Sequence, residues 1–378
     1  MEFKELVIKN FRNIEDLELS LNPRINVFVG QNGHGKTNLL EALYLLTRGQ
    51  SFRPAVTENF INYNSKNNPG LIKTNILDGE KENRIQLKLG LKDKTFLLDE
   101  KKINTAHLTK RFPSVLFSPE SLSAIKEGDE QRRRLLDEMI VLHQSQNALM
   151  IASFKKCLKT KNRLLKQQLK DPWPDAQFQN FLDAINQTFL KSAVDLTEAR
   201  TKAINASHKY FINSVRDIFN NEKIESCIEY YISGERANDW KRDQIHHALK
   251  NRLLQLTRAE ISSGVSLVGP QKHDVKFFLQ GKDARYFSSQ GQQRALILSF
   301  KISQIMYHYT VYKSYPILLL DDVMSELDAD KRRKLVSLLE KIESQIFITT
   351  TDFQFSEEIN KQNCSLYELC DGQVNRIC

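Results

Sequence analysis

Residues Gly30-Gln31-Asn32-Gly33-His34-Gly35-Lys36-Thr37 match G-x-x-x-x-G-K-[ST] at every fixed position, and no other run constrains the fold of this chain as much. Such a loop cradles phosphates where a strand feeds it and a helix leaves it. The glycines turn backbone N–H groups inward, and the helix N-terminus adds the positive end of its dipole. Both neighbours are legible here. Ile25 to Val29 is a short apolar run of strand character, while Leu39, Leu40, Leu43 and Leu46 recur at helical spacing with Gly49 placed as a C-terminal cap. In a loop of this kind Lys36 bridges the β and γ phosphates and the Thr37 hydroxyl ligates Mg²⁺. At average residue usage the pattern arises by chance in such a chain about one time in a hundred. The alternative is a bare glycine turn, which would not need the strand and helix that flank it.

The remaining chain must supply the sheet around that loop. Its 378 residues exceed one ordinary core and fit two domains, or one domain with a large insertion. With 40% hydrophobic and 27% charged residues the composition is globular. No run of about 18 apolar residues occurs, and charge alternates with apolar residues from Met1 to Glu5, so a soluble, non-exported, cytoplasmic protein is expected. Cys157, Cys227, Cys364, Cys370 and Cys378 are scattered without C-x-x-C spacing, which argues against a disulfide framework and a zinc site. Fifty-five Lys plus Arg against 46 Asp plus Glu leave a net +9, favouring a polyanionic partner.

Along the chain, residues 1–118 read as a β-rich block: Leu17, Leu19 and Leu21 alternate with polar residues, as do Ile85, Leu87, Leu89 and Leu91, with Thr95 to Leu98 as hairpin partner. Residues 119–258 are mainly helical from Ser118-Pro119-Glu120 onward, with glycine-poor stretches Glu130 to Lys170 and Asp175 to Phe219 separated by Asp171-Pro172-Trp173-Pro174. In residues 259–378 the β-α-β-α rhythm of a parallel sheet returns: helix Gln292 to His308, strand Ile317 to Leu320, helix Asp330 to Glu343, strand Ile346 to Thr349. The expected architecture is an α/β head in two halves flanking a helical arm.

A second half-site lies near the C-terminus. Ile317 to Leu320 is an apolar strand ending in Asp321-Asp322, the form of a Walker B element, where Asp321 would hold Mg²⁺ and Asp322 would act as base or water-orienting carboxylate. Between the two half-sites, Ser289-Gln290-Gly291-Gln292 opens a helix and resembles the Ser-Gly-Gly-Gln signature of ABC-type ATPases; Ser325-Glu326-Leu327-Asp328 resembles their D-loop. A serine hydroxyl and a glycine N–H at a helix start form an anion site. In that family it reaches the γ-phosphate held by a second head. A plain polar N-cap is the competing reading.

Taken in order, these motifs resemble the RecF family of bacterial recombinational DNA-repair ATPases, related to the heads of structural-maintenance-of-chromosomes proteins. Further matches are Lys9-Asn10-Phe11-Arg12-Asn13, Ser51-Phe52-Arg53, Phe117-Ser118-Pro119-Glu120, Gln131-Arg132-Arg133-Arg134, Asn162-Arg163-Leu164-Leu165-Lys166 and Gln345-Ile346-Phe347-Ile348-Thr349-Thr350-Thr351. The resemblance implies an ABC-type P-loop ATPase head with an antiparallel β lobe and an inserted α-helical arm. It implies ATP and Mg²⁺ as cofactors, Arg12 near the nucleotide phosphates, and catalytic work at Lys36, Asp322 and Ser289. It further implies slow, DNA-dependent ATP hydrolysis and a homodimer formed with ATP, whose contacts include Ser289, Gln290, Gly291, Gln292 and Asp328. The partners implied are double-stranded DNA and junctions, and RecR with RecO in loading RecA at gaps; no membrane is involved. Two departures stand out. The family usually reads Gly-Pro-His-Arg-Asp-Asp where this chain has Gly269-Pro270-Gln271-Lys272-His273-Asp274, and Thr350 or Thr351 occupies the place of the ABC switch histidine.

The arm carries its own signal. From Lys155 to Lys170 no acidic residue occurs, and Lys155, Lys159, Arg163, Lys166 and Lys170 share one helical face while Phe154, Leu158, Leu165 and Leu169 share another. A phosphate-backbone footprint, a solvated surface and an interface to an acidic protein all fit such a stripe. Arg132 to Arg134 would pair with Asp137, Glu138 or the nucleotide. Three rivals explain less. A transporter ATP-binding subunit would bring a glutamine loop and a switch histidine, a chromosome-organising head needs long coiled coils, and a small-molecule kinase leaves Ser289 to Asp328 unexplained.

Overall fold

The computed structural model describes residues 1–53, 56–62, 64, 68–352, 364–370 and 372–377. The chain divides into two compact units, Met1–Leu122 with Ile305–Cys378, and Ser123–Gln304. The first opens with strands β1 (Glu2–Phe11) and β2 (Ile14–Ser20), antiparallel with Leu6 opposite Leu19 and Ile8 opposite Leu17. In β2, buried Ile14, Leu17 and Leu19 alternate with exposed Glu15, Asp16, Glu18 and Ser20, as in a sheet with one face in water. Strand β3 (Ile25–Val29) is buried along its whole length, the mark of a strand covered on both faces. Helix α1 (Lys36–Arg48) ends where expected, at left-handed Gly49, whose N–H donates to Leu45 O. Then follow β4 (Gly70–Asp78), β5 (Lys81–Leu89), β6 (Lys94–Leu98), β7 (Lys101–Ile103), α2 (Thr105–Arg111), β8 (Ser114–Phe117) and the short α3 (Pro119–Leu122). Strand β4 is not among the expected elements, because Lys73, Thr74 and Asn75 dilute its apolar character. Its buried Ile72 and Ile76 nevertheless seat it between β1 and β5 in the antiparallel sheet β2-β1-β4-β5-β6-β7.

The second unit begins with α4 (Ala124–Glu127), α5 (Asp129–His143), α6 (Asn147–Lys170) and α7 (Asp175–Phe219). The glycine-free stretch from Glu130 to Lys170 holds two helices, α5 and α6. Gln144 turns extended at φ −147°, and the Asn147 side chain donates to Ile140 O at 2.7 Å, closing the last turn of α5. Strands β9 (Ser226–Ile232) and β10 (Glu235–Arg236), helix α8 (Arg242–Ser263), strands β11 (Asp274–Leu279) and β12 (Lys282–Asp283), and helices α9 (Ala284–Phe287) and α10 (Gln290–Tyr312) follow, with the strands in an antiparallel sheet β10-β9-β11-β12. Residues 259–304, expected with the second half of the head, cluster with this unit. The reason is β11, which pairs along β9 with Phe277 opposite Ile228. Helices α6, α7 and α8 close on Leu164, Leu165, Phe178 and Leu182. Beside that core Lys161 and Glu260, 0% and 3% exposed in their side chains, form an ion pair at 2.7 Å, and Lys161 Nζ lies 4.8 Å from the Phe189 ring centroid.

The chain then returns to the first unit with β13 (Ile317–Asp321), α11 (Ala329–Lys341), β14 (Ile346–Thr350), β15 (Cys364–Cys370) and β16 (Gln373–Arg376). The second sheet of this unit runs β16-β15-β3-β14-β13-β8, with β15, β3, β14, β13 and β8 parallel. Strand β14 therefore stands between β3 and β13, and α1 packs on β8, β13 and β14 while touching β1 and β5 of the other sheet. The loop leading into α1 opens at the carboxyl ends of these strands, where open α/β sheets take their ligands. Among the described residues no helix is long and apolar enough to cross a membrane. The four described cysteines are free; Cys378 lies outside the described residues.

The Lys161–Glu260 pair yields a stability prediction. Glu260 Oε1 also accepts from Ser266 Oγ, Leu267 N and Val268 N at 2.9, 2.8 and 3.3 Å. Glu260→Ala strands a buried cation and three donors, so urea unfolding should show a loss of about 3–5 kcal/mol. A change below about 1 kcal/mol would mean that the pair adds nothing to the arm.

Candidate functional site

The glycine-rich loop is shaped by close approaches. A Cβ on Gly30 would fall 2.4 Å from Leu369 O, so β15 leaves room only for glycine there. Gly35 adopts φ 104°, in the left-handed region that favours glycine, with the Asn13 side chain against it. Gln31, Asn32 and Gly33 are exposed, and His34 Nδ1 lies 3.2 Å from Leu369 O. No side chain caps α1 and its first turn holds no acid, leaving the amino end of the helix suited to an anion. Lys36 is 6% exposed, and its Nζ donates to Gly30 O at 2.7 Å and Gln31 O at 2.9 Å. Burial lowers its pKa, against the pull of Asp322 and Asp321.

The two carboxylates differ in situation. Asp321 ends β13, and its Oδ1 accepts from Thr37 Oγ1 at 3.0 Å and from Thr349 Oγ1 at 2.9 Å. Burial raises its pKa, while these two hydroxyl hydrogen bonds oppose the rise. Asp322 takes φ 48°, uncommon for a side-chain-bearing residue although tolerated by aspartate. Its N–H donates to Thr349 O and Thr349 Oγ1, each at 3.1 Å, Ser325 Oγ donates to its carbonyl at 2.8 Å, and its buried Oδ1 has no hydrogen-bond partner among the described residues. One hydroxyl, that of Thr349, thus touches both acids. Sequence reasoning missed it, since a threonine within Ile346 to Thr350 reads as ordinary strand; the available signal was β14's place between β3 and β13. With both hydroxyls on Oδ1, Oδ2 is left for a further partner. The all-oxygen set of Asp321 and Thr37 suits a hard cation such as Mg²⁺. Among the described residues no cluster of three or more His, Cys, Asp or Glu could hold a metal ion.

Arg12, expected near phosphates, is held by α1. Its Nε and Nη2 donate to Glu41 Oε2 and Oε1 at 3.0 and 2.8 Å, and its guanidinium lies 5.2 Å from the Phe60 ring centroid. Glu41 is fully buried and also accepts from Ser51 Oγ, while Arg53 Nη1 donates to Asn38 Oδ1 at 3.0 Å. Asn38 Nδ2 in turn donates to Asn13 Oδ1 at 2.8 Å. This chain of contacts fixes the β1–β2 turn against α1, beside a cavity of about 1060 Å³ lined by Arg12, Asn13, Asn38, Asn59 and Asn62 among others.

In the second unit Ser289 is exposed before α10. Its N–H donates to Gln292 Oε1 at 2.9 Å and its Oγ accepts from Gln292 N at 3.2 Å, a reciprocal capping box. Gln290 is exposed, Gly291 and Gln292 half-buried. Asp328, in the first unit, is exposed and caps α11 by accepting from Lys331 N at 3.0 Å. Lys155, Lys159, Arg163, Lys166 and Lys170 are all exposed on α6, whereas Leu169, expected on its apolar face, is 50% exposed. Arg132 pairs with Asp129 and Asp274, Arg133 donates to His273 O at 2.7 Å, and Arg134 reaches Glu138 at 3.8 Å; Asp137 pairs with Arg200 instead. His273, in the departing segment, is buried against Tyr230 OH at 2.9 Å, and burial with Arg200 and Arg133 nearby pushes its pKa to about 3.

Comparisons with known proteins agree on one family. Residues 2–372 match the RecF/RecN/SMC N terminal domain. DNA replication and repair protein RecF of Halothermothrix orenii is 29% identical over 381 residues, covering 100% of this chain and 99% of that protein. The namesake from Listeria welshimeri is 32% identical over 386 residues, with both chains fully covered. The structure of the recombination mediator protein RecF-ATPrS in the RecFOR pathway matches with TM-score 0.87 at 26% identity, covering 100% of this chain and 98% of the other. The Smc head domain from Pyrococcus furiosus, at 14% identity and TM-score 0.55, shares the fold. The fold is that of an ABC-type P-loop ATPase head with an antiparallel β lobe and an inserted helical arm, as the motifs led us to expect.

The shared hydroxyl can be tested on stability alone. Thr349→Val keeps the shape of the side chain but deprives buried Asp321 of one donor, which should cost about 1–3 kcal/mol in urea unfolding. Thr349→Ser should recover most of it. Equal stability of the valine variant and the parent would contradict the contact.

Proposed function

The chain belongs to the RecF family, and from that premise we propose that it is an ATP-dependent DNA-binding protein of replication and recombinational repair. It clamps duplex DNA and junctions as a homodimer closed by ATP, and it acts in the cytoplasm with RecR and RecO to help load RecA at gaps. The observation that carries the reading is the meeting of Thr37 with Asp321 beside buried Lys36, because a strand end and a phosphate loop brought together in this way have one common use. The loop residues Gly30 to Thr37 take the phosphates, and the cavity beside Arg12 and Asn13 has room for the nucleoside. Thr37 and Asp321 hold Mg²⁺, which when bound screens the charge of the β and γ phosphates.

Asp322 acts on water. Its buried Oδ1 has no hydrogen-bond partner among the described residues, in keeping with a group that orients or deprotonates a nucleophile. The side chain is one methylene shorter than the ABC glutamate, and threonines replace the switch histidine. Turnover is therefore slow and times a clamp. Ser289, Gln290, Gly291 and Gln292 serve the nucleotide of a second copy. Ser289's exposure before a long helix supports this, although its hydroxyl also caps that helix. Of the rival readings of the α6 stripe, the DNA backbone is favoured because Lys155, Lys159, Arg163, Lys166 and Lys170 are exposed and make no ion pair among the described residues.

Two expectations follow. Asp322→Asn should bind ATP within a few-fold of the parent yet slow single-turnover hydrolysis about a hundredfold, while Asp321→Asn should weaken nucleotide affinity in Mg²⁺ and leave it unchanged in EDTA. Parental turnover in Asp322→Asn would assign the water to another residue. Replacing Lys159, Arg163 and Lys166 together by Glu should weaken duplex binding at every sequence and lower the log-log salt slope by about 0.9 per lost contact. An unchanged slope would return the stripe to solvent or to a protein.

A further inference from the structure

Helix α8 presents a second cationic face that the residue pattern of α6 does not announce. Between Asp243 in its first turn and buried Glu260, the run Gln244 to Ala259 contains no acid but holds Lys250, Arg252 and Arg258, with His246 and His247 beside them. The buried face of the helix is Ile245, Leu249 and Leu253. At 3.6 residues per turn, Lys250, Leu254 and Arg258 lie away from that face, and all three are exposed, Leu254 by 69%.

Several exposed cations elsewhere in the unit are paired within it. Arg242 pairs with Asp195 at 2.5 Å and Glu198 at 2.7 Å, Arg236 with Glu229 at 3.1 Å and Asp239 at 3.2 Å, and Lys202 with Glu198 at 2.8 Å. Lys250, Arg252 and Arg258 make no ion pair among the described residues; Arg252 only donates to Gln255 Oε1 at 3.1 Å, within its own helix. Helix α7 carries Asp183, Asp195, Glu198 and Asp217 among its cations, whereas α6 from Lys155 to Lys170 and α8 from Gln244 to Ala259 carry cations and no acid. Those two helices meet inward, through Lys161 and Glu260, which points their cationic faces outward.

We propose that the exposed face of α8, centred on Lys250, Leu254 and Arg258, is a second contact surface for the sugar-phosphate backbone of DNA, which rests on the reading of the protein as a DNA-binding ATPase. The chemistry matches on two counts. Lys250 and Arg258 are eight residues apart, about 12 Å along the helix, which is the rise of three to four nucleotides of one strand. The exposed Leu254 between them would lie against the apolar face of a deoxyribose.

The test uses the full chain and a fluorescent 30-base-pair duplex, titrated with ATP and Mg²⁺ at several NaCl concentrations. The double variant Lys250→Glu with Arg258→Glu should lose at least about tenfold in duplex affinity and lower the log-log salt slope by about 0.9 for each contact removed, with ATP affinity unchanged. The milder pair Lys250→Gln with Arg258→Gln should show the same slope change with a smaller loss, which keeps the result interpretable if the charge reversal perturbs folding. Unchanged affinity and slope in both, while the α6 variant is impaired, would overturn this inference and leave the functional reading standing. A parent chain that fails to bind duplex at any salt would overturn both.

Discussion

The hydrogen bond from Thr37 to Asp321 joins residues 284 positions apart in the chain, and the site depends on it. It forms only if β3 and β13 flank β14 in one parallel sheet, because this order puts the loop after β3 and the carboxylate ending β13 on the same sheet edge. The intervening strand is itself engaged: Thr349 of β14 donates to the same carboxylate oxygen and receives the Asp322 N–H. Three strand ends thereby fix two acids whose situations differ, one held by hydroxyls and one with an oxygen unpartnered among the described residues. The same edge positions Gly30 beneath β15, where no larger residue fits.

Much of this was legible beforehand, for physical reasons. The phosphate loop, the acidic strand end and helices such as α7 announce themselves because each rests on local pattern: fixed glycines, an apolar run closed by carboxylates, or a long 3.6-residue period. Strands β4 and β15 did not. Their buried faces include Thr74 and Ser365, and what makes them strands is pairing with β1 and β3 across long sequence separations. The break between α5 and α6 was hidden for the opposite reason, since it falls at extended Gln144 within a glycine-free run, with Asn147 bonding back to Ile140 O. The contacts of Thr349 and Glu41 and the left-handed backbone of Asp322 were invisible, because they depend on who faces whom, which spacing alone does not specify.

The arm follows a different economy of charge. Its interior keeps Lys161 with Glu260, Arg200 with Asp137, and Arg132 with Asp129 and Asp274, each cation buried beside an acid. Unpaired burial would be far costlier than these contacts are favourable. Lys161 shows why a basic run must be sorted by face: it belongs to the same acid-free stretch as Lys159 and Arg163, yet it is an internal tie between α6 and α8. Outside, Lys155, Lys159, Arg163, Lys166 and Lys170 of α6 and Lys250, Arg252 and Arg258 of α8 make no ion pair among the described residues.

The central claim is that the signature of one copy completes the nucleotide site of another. The most direct measurement mixes two inactive variants, Lys36→Ala and Ser289→Arg, and follows ATP hydrolysis with duplex DNA present. In a mixed dimer one composite site regains both an intact Lys36 and an intact Ser289, so the account expects activity to return on mixing, to a fraction of the parental rate. If each variant is inactive alone and the mixture stays inactive although light scattering shows mixed dimers, the signature does not act across the interface and the account is wrong.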